Sequence, residues 1–250
     1  MKIGNLDVGG NAPCRVVAEI GNAHNGDIQR AMRLIDAAVD AGADLIKFQA
    51  YTPDELVALR GDGPAPEPWG SQGWTMRRLY EKAQTPLEWI GPLMNLARCK
   101  YGVPAFASVF GEESFAAMER IDCPAYKTAS LDFNSGIVDD LVRKTGKPII
   151  ASTPGALPRV ADPGVEFLYC PPFYPQTEFH LSNIRHGFLG FSYHGTRIDP
   201  PVLAVAAGAK MVEVHFMLDD APSELEANVS LGERQFARMV RAIRRVETML

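Results

Sequence analysis

Short apolar runs alternate along the chain with amphipathic stretches, the pattern of strands and helices taking turns around a parallel sheet. The runs Arg15–Ile20, Asp44–Gln49, Val103–Ser108, Ala125–Thr128, Pro148–Ser152, Val165–Cys170, Gly187–Ser192 and Lys210–Phe216 predict eight strands. Between the first two, Ile28–Ala41 places Ala31, Leu34, Ile35, Ala38 and Val39 at helical spacing and stops at Gly42. Further helices are predicted over Pro86–Tyr101, Glu112–Arg120, Ile137–Thr145, Pro200–Gly208 and Gly232–Leu250. Eight strands with intervening helices make an α/β fold of the (β/α)8, or TIM-barrel, type. Two segments break the rhythm. TPGALPRVADPG, between Ser152 and Val165, is too short and too rich in proline and glycine for a full helix, so the fifth helix is expected to be reduced or missing. Tyr51–Thr75, which contains GDGPAPEPWGSQGW, reads as a long loop that either covers the site or is poorly ordered. Residues 2–13 are expected to form a hairpin that caps the bottom of the barrel.

Composition narrows the picture without changing it. The length suits one barrel domain over residues 1–250. Apolar residues at 46% and charged residues at 22% are ordinary for a globular chain with a substantial core. A net charge of −5 argues against nucleic acid as a partner, because phosphate binding wants a basic face. No run of about 18 apolar residues is present to span a bilayer, and MKIGNLDVGG lacks the apolar stretch of a secretory signal. Cys14, Cys99, Cys123 and Cys170 show no CxxC spacing and read as reduced, packed thiols. A cytoplasmic enzyme is expected.

In barrels of this type the active site lies at the carboxyl ends of the strands. Those ends carry Glu19, Lys47 and Gln49, Ser108, Lys127 and Ser130, Ser152 and Thr153, Tyr174, Ser192 and His194, and Glu213 and His215. So many polar groups at one rim exceed what strand packing needs, and together they describe a site for an anion and a metal. In VEVH, Glu213 and His215 alternate with valines, so both point into the barrel if the valines meet the helices. Neutral imidazoles at His194 and His215 suit a divalent ion, Mn²⁺ or Mg²⁺, with Zn²⁺ left open. Lys47 and Lys127 admit three readings: interior ion pairs with a carboxylate such as Glu19 or Asp44, a phosphate clamp helped by Ser130 and Ser152, or an imine-forming amine at Lys127. His24 either holds the first loop together or serves function, and His180 and His186 are expected to face solvent.

The stretch AEIGNAHNGDIQRAMRLIDAAVDAGADLIKFQAYTPDEL (18–56) resembles the opening of the sialic acid synthase family. The resemblance continues through PAYKTAS (124–130), GKPIIAST (146–153), FYPQTEF (173–179), GFSYHGT (190–196), GAKMVEVHFMLDD (208–220) and SLGERQFARMVRAIRRV (230–246). It implies condensation of phosphoenolpyruvate with an N-acyl amino sugar or related aldose, forming a nonulosonic or 3-deoxy-ulosonic acid and releasing phosphate. It also implies His194 and His215 as metal ligands and Glu19 as the acid that moves a proton or orients water. Lys47, Lys127, Ser130 and Ser152 fall on its phosphoenolpyruvate positions; Gln49 and Tyr174 fall near the acceptor. The departures lie on the acceptor side. Ser-Tyr-His (192–194) stands for Ser-Asp-His, Ser108–Phe110 is a shortened turn, Pro172 replaces an asparagine, and Glu226 takes the place of an aspartate. The family's C-terminal antifreeze-like domain, whose arginine reaches the N-acyl group in a partner subunit, has no counterpart in the expected barrel. A homodimer through barrel-to-barrel pairing stays open. The alternatives are a metal-dependent aldolase or lyase of the same barrel type, or a non-catalytic barrel subunit.

Overall fold

The computed structural model describes residues 1–129, 137–155, 157 and 164–250, with the backbone alone for 137–139. A two-residue hairpin, β1 (Lys2–Ile3) and β2 (Leu6–Asp7), precedes eight parallel strands: β3 (Arg15–Glu19), β4 (Leu45–Ala50), β5 (Ala105–Val109), β6 (Tyr126–Thr128), β7 (Ile149–Thr153), β8 (Val165–Tyr169), β9 (Gly190–Tyr193) and β10 (Met211–Met217). Each pairs with the next, and β10 closes the ring against β3. The expected barrel is therefore present. Its strands are buried on both faces, which explains near-continuous apolar sequences such as RVVA and MVEV rather than strict alternation.

Helices cover the outside: α1 (Ile28–Asp40), α4 (Leu87–Tyr101), α5 (Glu112–Arg120), α6 (Ile137–Arg143), α7 (Asp199–Ala206) and α8 (Glu233–Glu247). Asp27 caps α1 by accepting from the Gln29 and Arg30 backbone N–H groups, and Ala31, Leu34, Ile35 and Ala38 are its buried face. The hairpin closes the bottom, with Ile3 and Val8 buried. Arg15 Nε donates to the Asp7 carbonyl at 2.8 Å, and Lys210 Nζ to that of Ala12 at 3.3 Å.

Three expectations need correction or delimiting. The segment Tyr51–Thr75 is not a plain loop: it holds α2 (Pro53–Arg60) and a 3-10 turn at Gly70–Gln72, and runs into α3 (Met76–Ala83). Thr52 and Glu55 form a reciprocal capping box around Pro53 at the first helical position, a start signal written in the sequence TPDE. A ninth parallel strand, β11 (Ser230–Gly232), extends the upper end of β10 from His215 onward. The reduced fifth helix and Ser130 fall outside the described residues, except for Thr153, Pro154, Gly155, Leu157 and Gly164 of the former segment.

Candidate active site

Strand register decides which polar groups meet. Glu19 lies opposite Lys47 on one side and opposite His215 on the other. Ser108 lies between Gln49 and Lys127, and Glu213 stands beside Ser192. All of these sit at the carboxyl ends, so the sheet presents one ring of chemistry at the mouth. A cavity of about 250 Å³ opens there, lined by Lys47, Gln49, Ser108, Lys127, Ser152, Tyr174, His194, His215 and Glu226 among others. Glu19 is fully buried below this lining, in contact with Lys47.

The floor is a chain of alternating charges. Lys127 Nζ donates to Glu213 Oε1 at 2.9 Å; Lys47 Nζ is 3.6 Å from the same oxygen and pairs with Glu19 Oε2. Lys47 also donates to Ser108 Oγ at 3.2 Å, and Ser192 Oγ to Glu213 Oε1 at 3.1 Å. Glu19 Oε1 is fixed by the Gly21 N–H at 2.8 Å. Burial lowers Lys47 to about 8, with Glu213 opposing the shift. Burial alone would raise the Glu213 carboxyl, but Lys127 and Lys47 hold it below the usual carboxylate range. The ion-pair reading of the lysines is thus realised, with Glu213 as the shared partner and Glu19 as the second. Asp44 is elsewhere, paired with Arg244 and Arg15 at the bottom. Lys127, engaged by a carboxylate, does not have the isolated apolar setting that activates an imine-forming amine.

Among the described residues, Ser152 Oγ and Glu213 Oε2 on this floor are buried without a hydrogen-bond partner, and Glu19 Oε2 has only its ion pair with Lys47. Native interiors rarely leave such groups unpaired, because each costs about 1–3 kcal/mol. An incoming ligand with both donors and acceptors resolves the deficit.

Above the floor, the rings of His194 and His215 lie 5.0 Å apart. Burial, followed by the neighbouring cationic groups, pushes His194 well below its ordinary value and keeps the imidazole neutral. Gln176 fixes its backbone twice: the Gln176 N–H donates to the His194 carbonyl at 2.7 Å, and Gln176 Oε1 accepts from the His194 N–H at 3.1 Å. His215 Nδ1 is 3.2 Å from Glu226 Oε2, which also accepts from the Asn22 N–H at 3.1 Å. A carboxylate facing Nδ1 in this way is the arrangement that orients metal-ligating histidines. Among the described residues no three His, Cys, Asp or Glu side chains converge as a self-sufficient metal cage. The donor set therefore fits an open site in which two imidazoles leave positions for water and substrate oxygen. Gly21 permits this arrangement: its φ is +49°, and a Cβ there would fall 2.3 Å from Glu226 Oε2 and 3.1 Å from His215 Nδ1.

Tyr174 is half-exposed and lays its ring 4.3 Å from that of His194. Gln176 and Asn22 were not foreseen, whereas Tyr51–Thr75 covers the site, as one of its two readings had it: Tyr51, Leu56, Arg60 and Trp69 line the cavity. Gln176 sits two residues beyond Tyr174 in FYPQTEF, and only the fold shows that it clamps a strand end. His24 is structural: its Nδ1 accepts from Gly26 N–H and its Nε2 meets Thr85 Oγ1, both at 3.0 Å. His180 and His186 are exposed, as expected.

Known proteins place this architecture. The NeuB family model matches residues 34–168 and 177–250. The chain is 34% identical over 274 residues to pseudaminic acid synthase of Campylobacter jejuni, covering 100% of this chain and 78% of that protein. It is 30% identical over 265 residues to N-acetylneuraminate-9-phosphate synthase of Mus musculus, covering 97% and 73% respectively. The crystal structure of N-acetylneuraminic acid synthetase from Leptospira borgpetersenii, in complex with citrate, superposes with a TM-score of 0.83 at 26% identity, covering 100% of this chain and 89% of that one. Among the described residues no helix is long and apolar enough to cross a membrane.

Proposed function

Since this chain belongs to the NeuB family, we propose that it is a synthase joining phosphoenolpyruvate to the aldehyde carbon of an N-acyl amino sugar, with release of phosphate. One observation carries the reading: two buried ammonium groups, Lys47 and Lys127, line one cavity with His194, His215 and the Ser152 hydroxyl, which has no hydrogen-bond partner among the described residues. That floor suits a small, multiply charged anion with hydrogen-bonding oxygens.

In this reading Lys127 and Lys47 turn from Glu213 to the phosphate and carboxylate of phosphoenolpyruvate, while Ser108 and Ser152 add hydroxyl contacts. Glu19 lies one layer deeper and holds Lys47 in place, so its effect on proton transfer or water passes through that lysine. C3 of phosphoenolpyruvate forms the new bond to the aldehyde carbon, whose oxygen takes a proton. Water adds at C2, and the C2–O bond breaks to expel phosphate. Mn²⁺ or Mg²⁺ is the ion proposed for His194 and His215; when bound, it supplies polarisation of the aldehyde oxygen. Glu226 and Gln176 keep those two rings oriented, and Gln49 and Tyr174 face the acceptor.

The test is release of inorganic phosphate from phosphoenolpyruvate in the presence of Mn²⁺ and a panel of N-acyl hexosamines. Phosphate release that depends on an added sugar is expected. Its absence with every aldose would sink the proposal. Metal content offers a second readout: His215→Ala is expected to lose Mn²⁺ binding while still unfolding in a cooperative melting transition.

A further inference from the structure

The segment between β10 and β11 brings Glu226 to His215, and two kinds of contact hold it. On its outer side the Arg30 guanidinium donates to the Ala221 carbonyl and, at 2.9 Å, to that of Pro222. Asn25 Oδ1 accepts from the Glu224 N–H at 3.1 Å, and Lys82 Nζ lies 3.0 Å from Glu224 Oε2. These contacts moor the segment to α1, to the first barrel loop and to α3. None of them touches Glu226.

The inner contact is of another kind. Ser223 is buried, and its hydroxyl donates to Asn22 Oδ1 at 2.8 Å. The same oxygen accepts from the Glu226 N–H at 3.0 Å and the Leu225 N–H at 3.3 Å. A hydroxyl has one proton and two lone pairs, so its whole capacity is spent at this junction. Asn22 returns the connection by donating its own N–H to Glu226 Oε2 at 3.1 Å. Residues 22, 223 and 226 thereby close a ring of hydrogen bonds. The ring fixes the backbone from which the Glu226 side chain leaves and the oxygen on which it ends. That oxygen is the one 3.2 Å from His215 Nδ1.

We infer that Ser223 is a positioning residue for the metal site: through Asn22 and Glu226 it sets the orientation of the His215 ring. This rests on the reading of His194 and His215 as holders of a divalent ion. Groups that orient a ligating histidine govern metal affinity by about 10–100-fold, and Ser223 carries that control one residue further out.

Two measurements on the full chain test this without turnover. In Mn²⁺ titrations followed by electron paramagnetic resonance, Ser223→Ala should weaken binding about tenfold. Asn22→Ala, which removes the hydroxyl's acceptor but keeps the N–H, should act in the same direction. In a Glu226→Gln background, Ser223→Ala should cost less than about twofold more, because the route it acts through is already cut. In the metal-free protein, NMR should show a hydrogen-bonded His215 Nδ1 proton that both variants broaden or lose. The outer moorings remain, so both variants should still unfold in one cooperative transition. Unchanged Mn²⁺ affinity in both variants, losses that simply add in the double variant, or a His215 signal absent from wild type or unaltered by Ser223→Ala overturns the inference. A wild-type protein that binds no Mn²⁺, yet loses its His215 signal on Ser223→Ala, would sink the metal reading and leave the hold of Ser223 on His215 standing.

Discussion

The barrel carries one ion-pair network at each end, and the two are built differently. At the bottom, Asp44 Oδ2 accepts from the Val16 N–H at 2.7 Å and pairs with Arg244, whose guanidinium also serves the Cys14 carbonyl at 2.6 Å and Glu247 at 3.1 Å. These side chains are 15–34% exposed, and none of their polar atoms is buried without a partner. At the top, Glu19, Lys47, Lys127 and Glu213 are at most 5% exposed, yet Glu213 Oε2 and the nearby Ser152 hydroxyl lack partners. Saturated pairs at the bottom tie the first strand to the last helix. Unsaturated pairs at the top hold capacity in reserve for something that arrives later. Satisfaction of hydrogen bonds, more than charge itself, separates scaffold from site.

Substitutions can break that contrast, and the largest effect is expected from Glu213→Gln. Removing the shared counter-charge leaves buried ammonium groups under-compensated, which should cost about 3–5 kcal/mol in denaturant unfolding. Next, Lys127→Met should lower kcat/KM for phosphoenolpyruvate by about 10²–10³ in steady-state kinetics, the scale set by losing one positioned cation or donor in a dry site. At the opposite end, Asp44→Asn should lose about 2 kcal/mol of stability and leave kcat/KM within about twofold, because a charge-assisted pair is removed far from the cavity. Equal kinetic damage from Asp44→Asn and Lys127→Met would erase the distinction between the two networks.

The smallest effects sharpen it. Lys47 is charged below its value of about 8 and neutral above it. An anion held by that ammonium should therefore be captured less well as pH rises: kcat/KM should fall about tenfold per unit above 8. Ser152→Ala should reduce kcat/KM by about tenfold yet leave stability unchanged or slightly raised, since the deleted hydroxyl has no partner among the described residues. A stability loss above about 1 kcal/mol would mean that the hydroxyl is structural after all.

Much of this was legible in the sequence, for a physical reason. Strands buried on both faces must be apolar, so each polar strand end stands out, and Glu19, Lys47, Lys127, His194 and His215 are visible at once. Register is not visible. Nothing in VEVH says that Glu213 faces two lysines from other strands, because that follows from strand pairing around the ring. Gln176 is hidden for the same reason: it reaches both the backbone and the ring of His194 across 18 residues of sequence. The helical structure inside the Tyr51–Thr75 insertion was missed differently. Its glycines and prolines dominate the central stretch, while the capping box at Thr52–Glu55 was there to be read.

That insertion has a small core of Tyr51, Leu56, Tyr80 and Phe110, in which Tyr51 meets Tyr80 and Phe110 edge to face. One carboxylate latches it to the barrel: Glu55 caps α2 through the Thr52 N–H and reaches across to the Ser114 N–H at the start of α5, each at 2.9 Å. A module with separate packing and few moorings can drift in sequence without disturbing the strands beneath it. A laboratory graft of residues 52–84 between relatives would show whether the insertion's packing transfers without rebuilding the strands beneath it.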